Sequence, residues 1–169
     1  DVSYLLIYGD LRESNHKTEF KDYIRTNADI HEDMNRFFNG FPVSAHPMAI
    51  LSSMVTALSG FHPDSDSHDI DVIDEHIAKL IAKVKTIAAY SYRKSQGMRF
   101  LYPDPNLTYV DNFLHMMFSD SQEDYQHNQV VSDALNTLLI LHADHEQNCS
   151  TSTVRMAGSS HANLFATIS

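Results

Sequence analysis

Apolar residues recur along this chain at the three- and four-residue steps of amphipathic helices, without convincing strand alternation. Residues 2–8 (Val-Ser-Tyr-Leu-Leu-Ile-Tyr) read as the last turns of a helix, closed by Gly9. Phe20 and Ile24 mark a short amphipathic helix over 17–25, and 31–38 continues in the same style up to Gly40-Phe41-Pro42. His46-Pro47 opens a stronger helix, because proline suits the first helical position, where its missing N–H is not needed. Its stripe is Met48, Leu51, Val55 and Leu58, widened by Ile50 and Met54, and Gly60 to Pro63 end it. Ile70, Ile73, Ile77, Leu80, Ile81 and Val84 line one face of a long helix that runs on to Tyr92. After the stiff turn Tyr102-Pro103-Asp104-Pro105-Asn106, the next stripe is Leu107, Val110, Leu114, Met117 and Phe118. His115 lies off that stripe and is expected at the surface or at an interface. A further helix is predicted over 128–146, with helical pieces at 154–157 and 162–168. The fold class these patterns predict is all-α and multi-helical.

The predicted 128–146 helix carries the chain's most suggestive chemistry. Val131, Leu135, Leu138, His142 and His145 follow one another at steps of four, three, four and three, and so share one stripe. Two imidazoles thus continue an apolar face expected to point into the core, where an unpaired polar group costs about 1–3 kcal/mol. The small hydroxyl-rich run 149–153 favours local backbone hydrogen bonds over helix, so a break is expected directly after the histidines. Histidines leaving an apolar helix at its polar end fit the mouth of a buried site. The residues alone admit core histidines satisfied by backbone, a metal site, or substrate binding by neutral imidazole. His142, His145 and Glu146 lie within one turn. Their order, His-x-x-His-Glu, is neither the zinc-protease nor the di-iron pattern, and no metal is assigned.

The segment His142-Ala143-Asp144-His145-Glu146-Gln147-Asn148-Cys149-Ser150-Thr151-Ser152-Thr153-Val154-Arg155, with Ala157-Gly158-Ser159-Ser160 and Ala162-Asn163 after it, resembles the matching segment of bacterial citrate synthases. Ser44-Ala45-His46-Pro47-Met48-Ala49 resembles the His-Pro-Met helix start of that family. Tyr102-Pro103 through Asn112-Phe113-Leu114-His115-Met116-Met117-Phe118 resembles its Tyr-Pro…Asn-Phe-Leu-x-Met-Met-Phe stretch. The resemblance covers nearly the whole chain and implies part of the large helical domain, with the small domain absent. The implied reaction is condensation of acetyl-CoA with oxaloacetate and water to give citrate and CoA, the entry step of the tricarboxylic acid cycle, with no cofactor. It implies that His145 contacts oxaloacetate and that His142 and Asn148 support it, with 150–153 as further candidates; Arg155 is expected in an ion pair or interface.

The family's aspartate base, its His-Gly-Gly-Ala-Asn segment and its substrate arginines are not in the chain. No catalytic residue is therefore assigned here; they are expected beyond residue 169, and the chain alone is expected to be inactive. Self-association as a homodimer or dimer-based hexamer is implied, with the helices beginning at 47 and 70 as interface material. Two other readings are a 2-methylcitrate synthase using propionyl-CoA and a non-catalytic helical scaffold. The chain departs from the family at Lys85, where relatives have proline, so a helix break there is expected to soften. It departs again at Gly97-Met98-Arg99, where relatives often carry Gly-Gln-Pro.

Charge and composition narrow the partners. A net charge of −10 argues against nucleic acid or anionic lipid, so two anionic substrates need a local basic site. The only basic cluster, 92–99, reads as a solvated helix end or, alternatively, an anion contact. The acidic turn 64–69 lacks the glycine and spacing of a calcium loop and reads as solvated loop and helix cap. A single cysteine, Cys149, excludes an internal disulfide and suits a reducing, cytoplasmic setting. No apolar run approaches membrane-spanning length. Asp1 in place of methionine, and apolar residues running to both ends, are expected of a piece of a longer chain.

Overall fold

The computed structural model describes residues 1–121, 126–144 and 146–169, and among these every regular element is helical. In order they are α1 (Val2–Tyr8), α2 (Asn15–Thr26), α3 (Met34–Asn39), α4 (Pro47–Ala57) with a 3₁₀ turn (Leu58–Phe61), and α5 (Ile70–Ser95). After these come α6 (Tyr109–Phe118), α7 (Gln129–Leu141), α8 (Cys149–Gly158) and α9 (Leu164–Ile168). Local signals set the ends. Gly9 closes α1 in the left-handed region at φ 74°. Pro47 occupies the first turn of α4, and the His46 ring accepts from the Met48 N–H. The Asp69 carboxylate accepts from the Asp71 N–H at the start of α5.

α5 is the axis of the fold. Helices α2, α4, α6 and α9 all pack on it, and its buried residues run right round it, from His76 and Ala78 to Ser91 and Arg93. The main core is Met34, Phe38, Ile50, Met54, Leu58, Ile87, Tyr90, Met116 and Phe165, all but excluded from solvent. Each such side chain contributes about 1.5–3 kcal/mol on burial. Tyr90 stacks on Phe100 with centroids 4.3 Å apart, and Phe38 meets Tyr90 edge-on at 5.9 Å. Polar ties fasten the loops to this axis. Thr86 donates to the Ala28 carbonyl (2.8 Å), Lys83 to the Asp29 carbonyl, and Tyr109 to the Ile81 carbonyl (2.9 Å). Buried Asn112 braces the Tyr102–Asn106 turn by donating to the Asp104 carbonyl (2.8 Å) and accepting its N–H (3.0 Å).

Several expectations are corrected. The buried apolar residues of α5, Ala78, Leu80, Ala82, Ile87, Ala89 and Tyr90, lie on more than one face, while Ile70 is exposed, because neighbours pack on the helix from several sides. α4 buries Ile50, Met54 and Val55 and leaves Met48 exposed, so its stripe is rotated from the expected one. His115 is buried, with Nδ1 3.0 Å from the Ser119 hydroxyl, since α6 is covered by both α5 and α7. Burial also lowers its pKa. α5 passes Lys85 unbroken, which agrees with the loss of the proline.

The basic stretch 92–99 is neither a solvated helix end nor an anion contact at Arg93. That residue is 2% exposed and turned inward. Its Nη1 donates to the carbonyls of Met116 (3.2 Å), Met117 (3.2 Å) and Ser119 (2.9 Å), and its Nε to that of Arg99. One guanidinium thus takes up the orphan carbonyls at the end of α6 and fixes the following turn. Replacing it leaves these acceptors buried without donors. Arg93→Ala is expected to destabilise the chain by roughly 3 kcal/mol, and Arg93→Lys by less. Urea unfolding midpoints check both values, and equal midpoints for wild type and Arg93→Ala would contradict the capping role.

Candidate functional site

The segment singled out by its histidines lies at the outer end of α7 and in the turn leading to α8. α7 is pinned to α6 by polar contacts around buried Asp111, which accepts from Ser132, His127 (3.0 Å) and Thr108 (2.7 Å). Ser132 is the one residue of α7 that is buried among those described. The stripe expected to enter the core is at the surface instead: Val131, Leu138 and His142 are all exposed, and Val130 is 78% exposed. Among the described residues α7 packs chiefly on α6, which leaves most of its apolar face at the surface.

The helix also ends earlier than predicted, at Leu141 and not at 146. The His142 N–H donates to the Leu138 carbonyl (3.1 Å), and its ring Nδ1 lies 2.7 Å from the same oxygen. A carbonyl only accepts, so Nδ1 carries the proton, and in the neutral ring Nε2 is the acceptor nitrogen. Asp144 then closes a turn by accepting from the Glu146 N–H (3.0 Å). Glu146 itself is left-handed, with φ 58°, a conformation that non-glycine residues seldom adopt and that stops a helix.

Asn148 caps α8, its side-chain oxygen accepting from the Thr151 N–H (2.9 Å). The run 149–153, expected to break the chain, instead opens α8. Its hydroxyls fit a helix because they bond back along it, as Thr153 does to the Cys149 carbonyl (2.8 Å). The break expected after the histidines falls at 142–148 and begins at His142 itself. His142, Asp144, Glu146 and Asn148 are all exposed, and His145 lies outside the described residues. Among the described residues exposed Arg155 has no ion pair, so of its two expected roles the ion pair is not the observed one.

Lys85, marked in the sequence only for the helix break, takes up a buried position. It lines a cleft of about 550 Å³ shared with Phe20, Tyr109, Asn136, Leu139 and Ile140, whose rim reaches Ala143 beside His142. Lys85 is 4% exposed, and its ammonium lies 4.4 Å from the centre of the Tyr109 ring. Burial pushes its pKa down to about 8 and that of Tyr109 up to about 12. The available signal was a lysine four residues after Ile81 on an otherwise apolar face.

Comparison with known proteins identifies the family. The family model described as citrate synthase, C-terminal domain, matches residues 1–169. The chain belongs to the citrate synthase family. Citrate synthase 1 from two strains of Mycobacterium tuberculosis is 52% identical over 170 aligned residues, covering 100% of this chain and 39% of the relative. The chain therefore spans 39% of the length of these curated relatives. The citrate synthase structure from Pyrobaculum aerophilum superposes with a TM-score of 0.88 at 27% identity, over 99% of this chain and 42% of that one. Citrate synthase from Thermoplasma acidophilum, solved as a ternary complex with carboxymethyl coenzyme A and oxaloacetate, gives 0.86 at 23% identity over 97% and 42%, a likeness of fold. The all-helical citrate synthase architecture is thus the observed one.

A buried ammonium fixes the sign of one pH effect. The folded pKa of Lys85 is below its unfolded value, so the unfolded chain binds more protons between about pH 8 and 10.5, and stability rises with pH across that window. At neutral pH the protonated form costs stability, partly offset by the Tyr109 ring. Lys85→Met is expected to stabilise the chain by on the order of 2 kcal/mol at pH 7 and by clearly less at pH 10. Denaturation midpoints of both forms at the two pH values measure this; a gain that does not shrink with pH would contradict it.

Proposed function

We propose that this chain is part of the large helical domain of a citrate synthase, which condenses acetyl-CoA with oxaloacetate and water to give citrate and CoA. The observation that carries this is the 52% identity sustained over 100% of the chain to proteins named citrate synthase. That name favours acetyl-CoA over propionyl-CoA, and an enzyme over a helical scaffold. The Thermoplasma acidophilum complex holds oxaloacetate in the same fold and supports the ketoacid as substrate.

Within this reading, His145 donates a hydrogen bond to a ketoacid oxygen. Support comes from the Asp144-His145-Glu146 motif and from the strained Glu146 backbone beside it, a kind of feature that concentrates at functional sites. His142 and Asn148 hold the two ends of the turn, one as cap of α7 and one as cap of α8. The aspartate base, the polarising histidine and the carboxylate-binding arginines that the chemistry needs are supplied by segments other than 1–169.

Self-association as a homodimer or dimer-based hexamer belongs to the same proposal. The apolar surface of α5 is used inside the fold, whereas Val130, Leu138 and Leu141 of α7 are exposed. No helix among the described residues is long and apolar enough to cross a membrane, and a cytoplasmic site of action is proposed with the function.

The test is steady-state kinetics of the intact protein with oxaloacetate and acetyl-CoA, with propionyl-CoA as comparison. His145→Ala is expected to raise the KM for oxaloacetate at least tenfold, with little change for acetyl-CoA, since a lost hydrogen bond to a charged ligand costs about 1.5–3 kcal/mol. An unchanged KM would refute the role of His145, and absence of citrate formation by the wild type would refute the function.

A further inference from the structure

Away from the α7–α8 turn, the loop between the 3₁₀ turn and α5 gathers His62, Asp64 and His76. Each offers one donor atom, and the three donor atoms lie within 4.8 Å of one another. No other cluster of three such donors is found among the described residues. We propose that His62, Asp64 and His76 form a binding site for a divalent transition-metal ion, zinc foremost.

The geometry supports this at each ligand. A tetrahedral zinc ion with bonds of about 2.0–2.1 Å sets its ligand atoms roughly 3.3 Å apart. His76 Nε2 and Asp64 Oδ1 are already 3.2 Å apart, so an ion can replace the proton they share. The His62 ring needs to close by at most about 1.5 Å to complete the tetrahedral spacing.

The surroundings hold these groups in place. His76 is 1% exposed on α5, the helix on which α2, α4, α6 and α9 pack. The His62 ring lies flat on fully buried Phe165 of α9, with centroids 5.2 Å apart and planes 5° apart. The nearby ammonium groups are engaged elsewhere: Lys79 pairs with Glu75 at 2.9 Å, and Lys83 donates to the Asp29 carbonyl. Two imidazoles and one carboxylate are a borderline donor set that favours zinc, cobalt or nickel over magnesium or calcium. With three protein ligands the fourth position is left to water, on the side where Asp64 is exposed. An ion here would tie the 62–69 loop to α5 directly beneath α9, the helix that follows α8.

Cobalt titration of the chelator-stripped intact protein tests the site. One equivalent of Co²⁺ is expected to produce the intense visible absorption of a tetrahedral centre. Zinc should abolish that absorption at stoichiometric concentration, and excess magnesium should leave it intact. His62→Gln and Asp64→Asn, chosen because neither position is buried, are each expected to weaken binding at least tenfold with unchanged far-ultraviolet circular dichroism. His46→Asn, at an exposed histidine at the start of α4, should bind like wild type. Failure of the tetrahedral band to form, or a band that keeps its affinity in either loop variant, would overturn the assignment.

Discussion

Enclosure of α5 is the constraint on which this structure depends. A helix of 26 residues buried on most of its circumference cannot be stable by itself, and every neighbour that covers it is fixed in turn. α4 and α9 cover one side, α2 another, and α6 a third. The polar groups on α5 match this enclosure. Thr86 and Lys83 hold the 26–30 loop, and Arg93 holds the end of α6. Loss of the Thr86 or Arg93 bonds leaves a buried donor or acceptor unpaired and costs more than the bond itself contributes.

α7 and α8 stand in a different relation to that axis. They are reached through α6 and the Asp111 contacts, keep few buried residues, and carry the family's most recognisable segment on their connecting turn. That turn is held by its own local devices: the His142 ring on the Leu138 carbonyl, Asp144 on the Glu146 amide, and Asn148 on the Thr151 amide. Such short-range bonds shape a loop without committing it to a core. The ketoacid contact proposed for this turn has use for that, because side chains not consumed by packing remain available to substrate and to neighbouring segments.

The helices and their order were legible in the sequence because amphipathic spacing and end signals are local. Gly9, Pro47 and Asp69 each mark the boundary they predict. The face each helix buries was less legible, since periodicity cannot distinguish one neighbour from four. Hence Ile70 and Met48 are exposed, and His115 and Arg93 are inside. The α7 misreading has a related cause. Leu138 and His142 do share a stripe, but a stripe becomes core only where another element covers it. The motif carrying His145 was readable as a family signature, whereas Lys85 and the His62–Asp64–His76 cluster come together only through tertiary packing.

The central claim is that a stable α5-centred body carries a locally held α7–α8 turn. Amide hydrogen exchange of the 169-residue chain tests it most directly. Amides in the middle of α5, around Ala82 to Tyr90, are expected to exchange only through global unfolding, while those of α7 and α8 exchange orders of magnitude faster through local opening. Equal protection of α5 and α8, or faster exchange in α5, would contradict it.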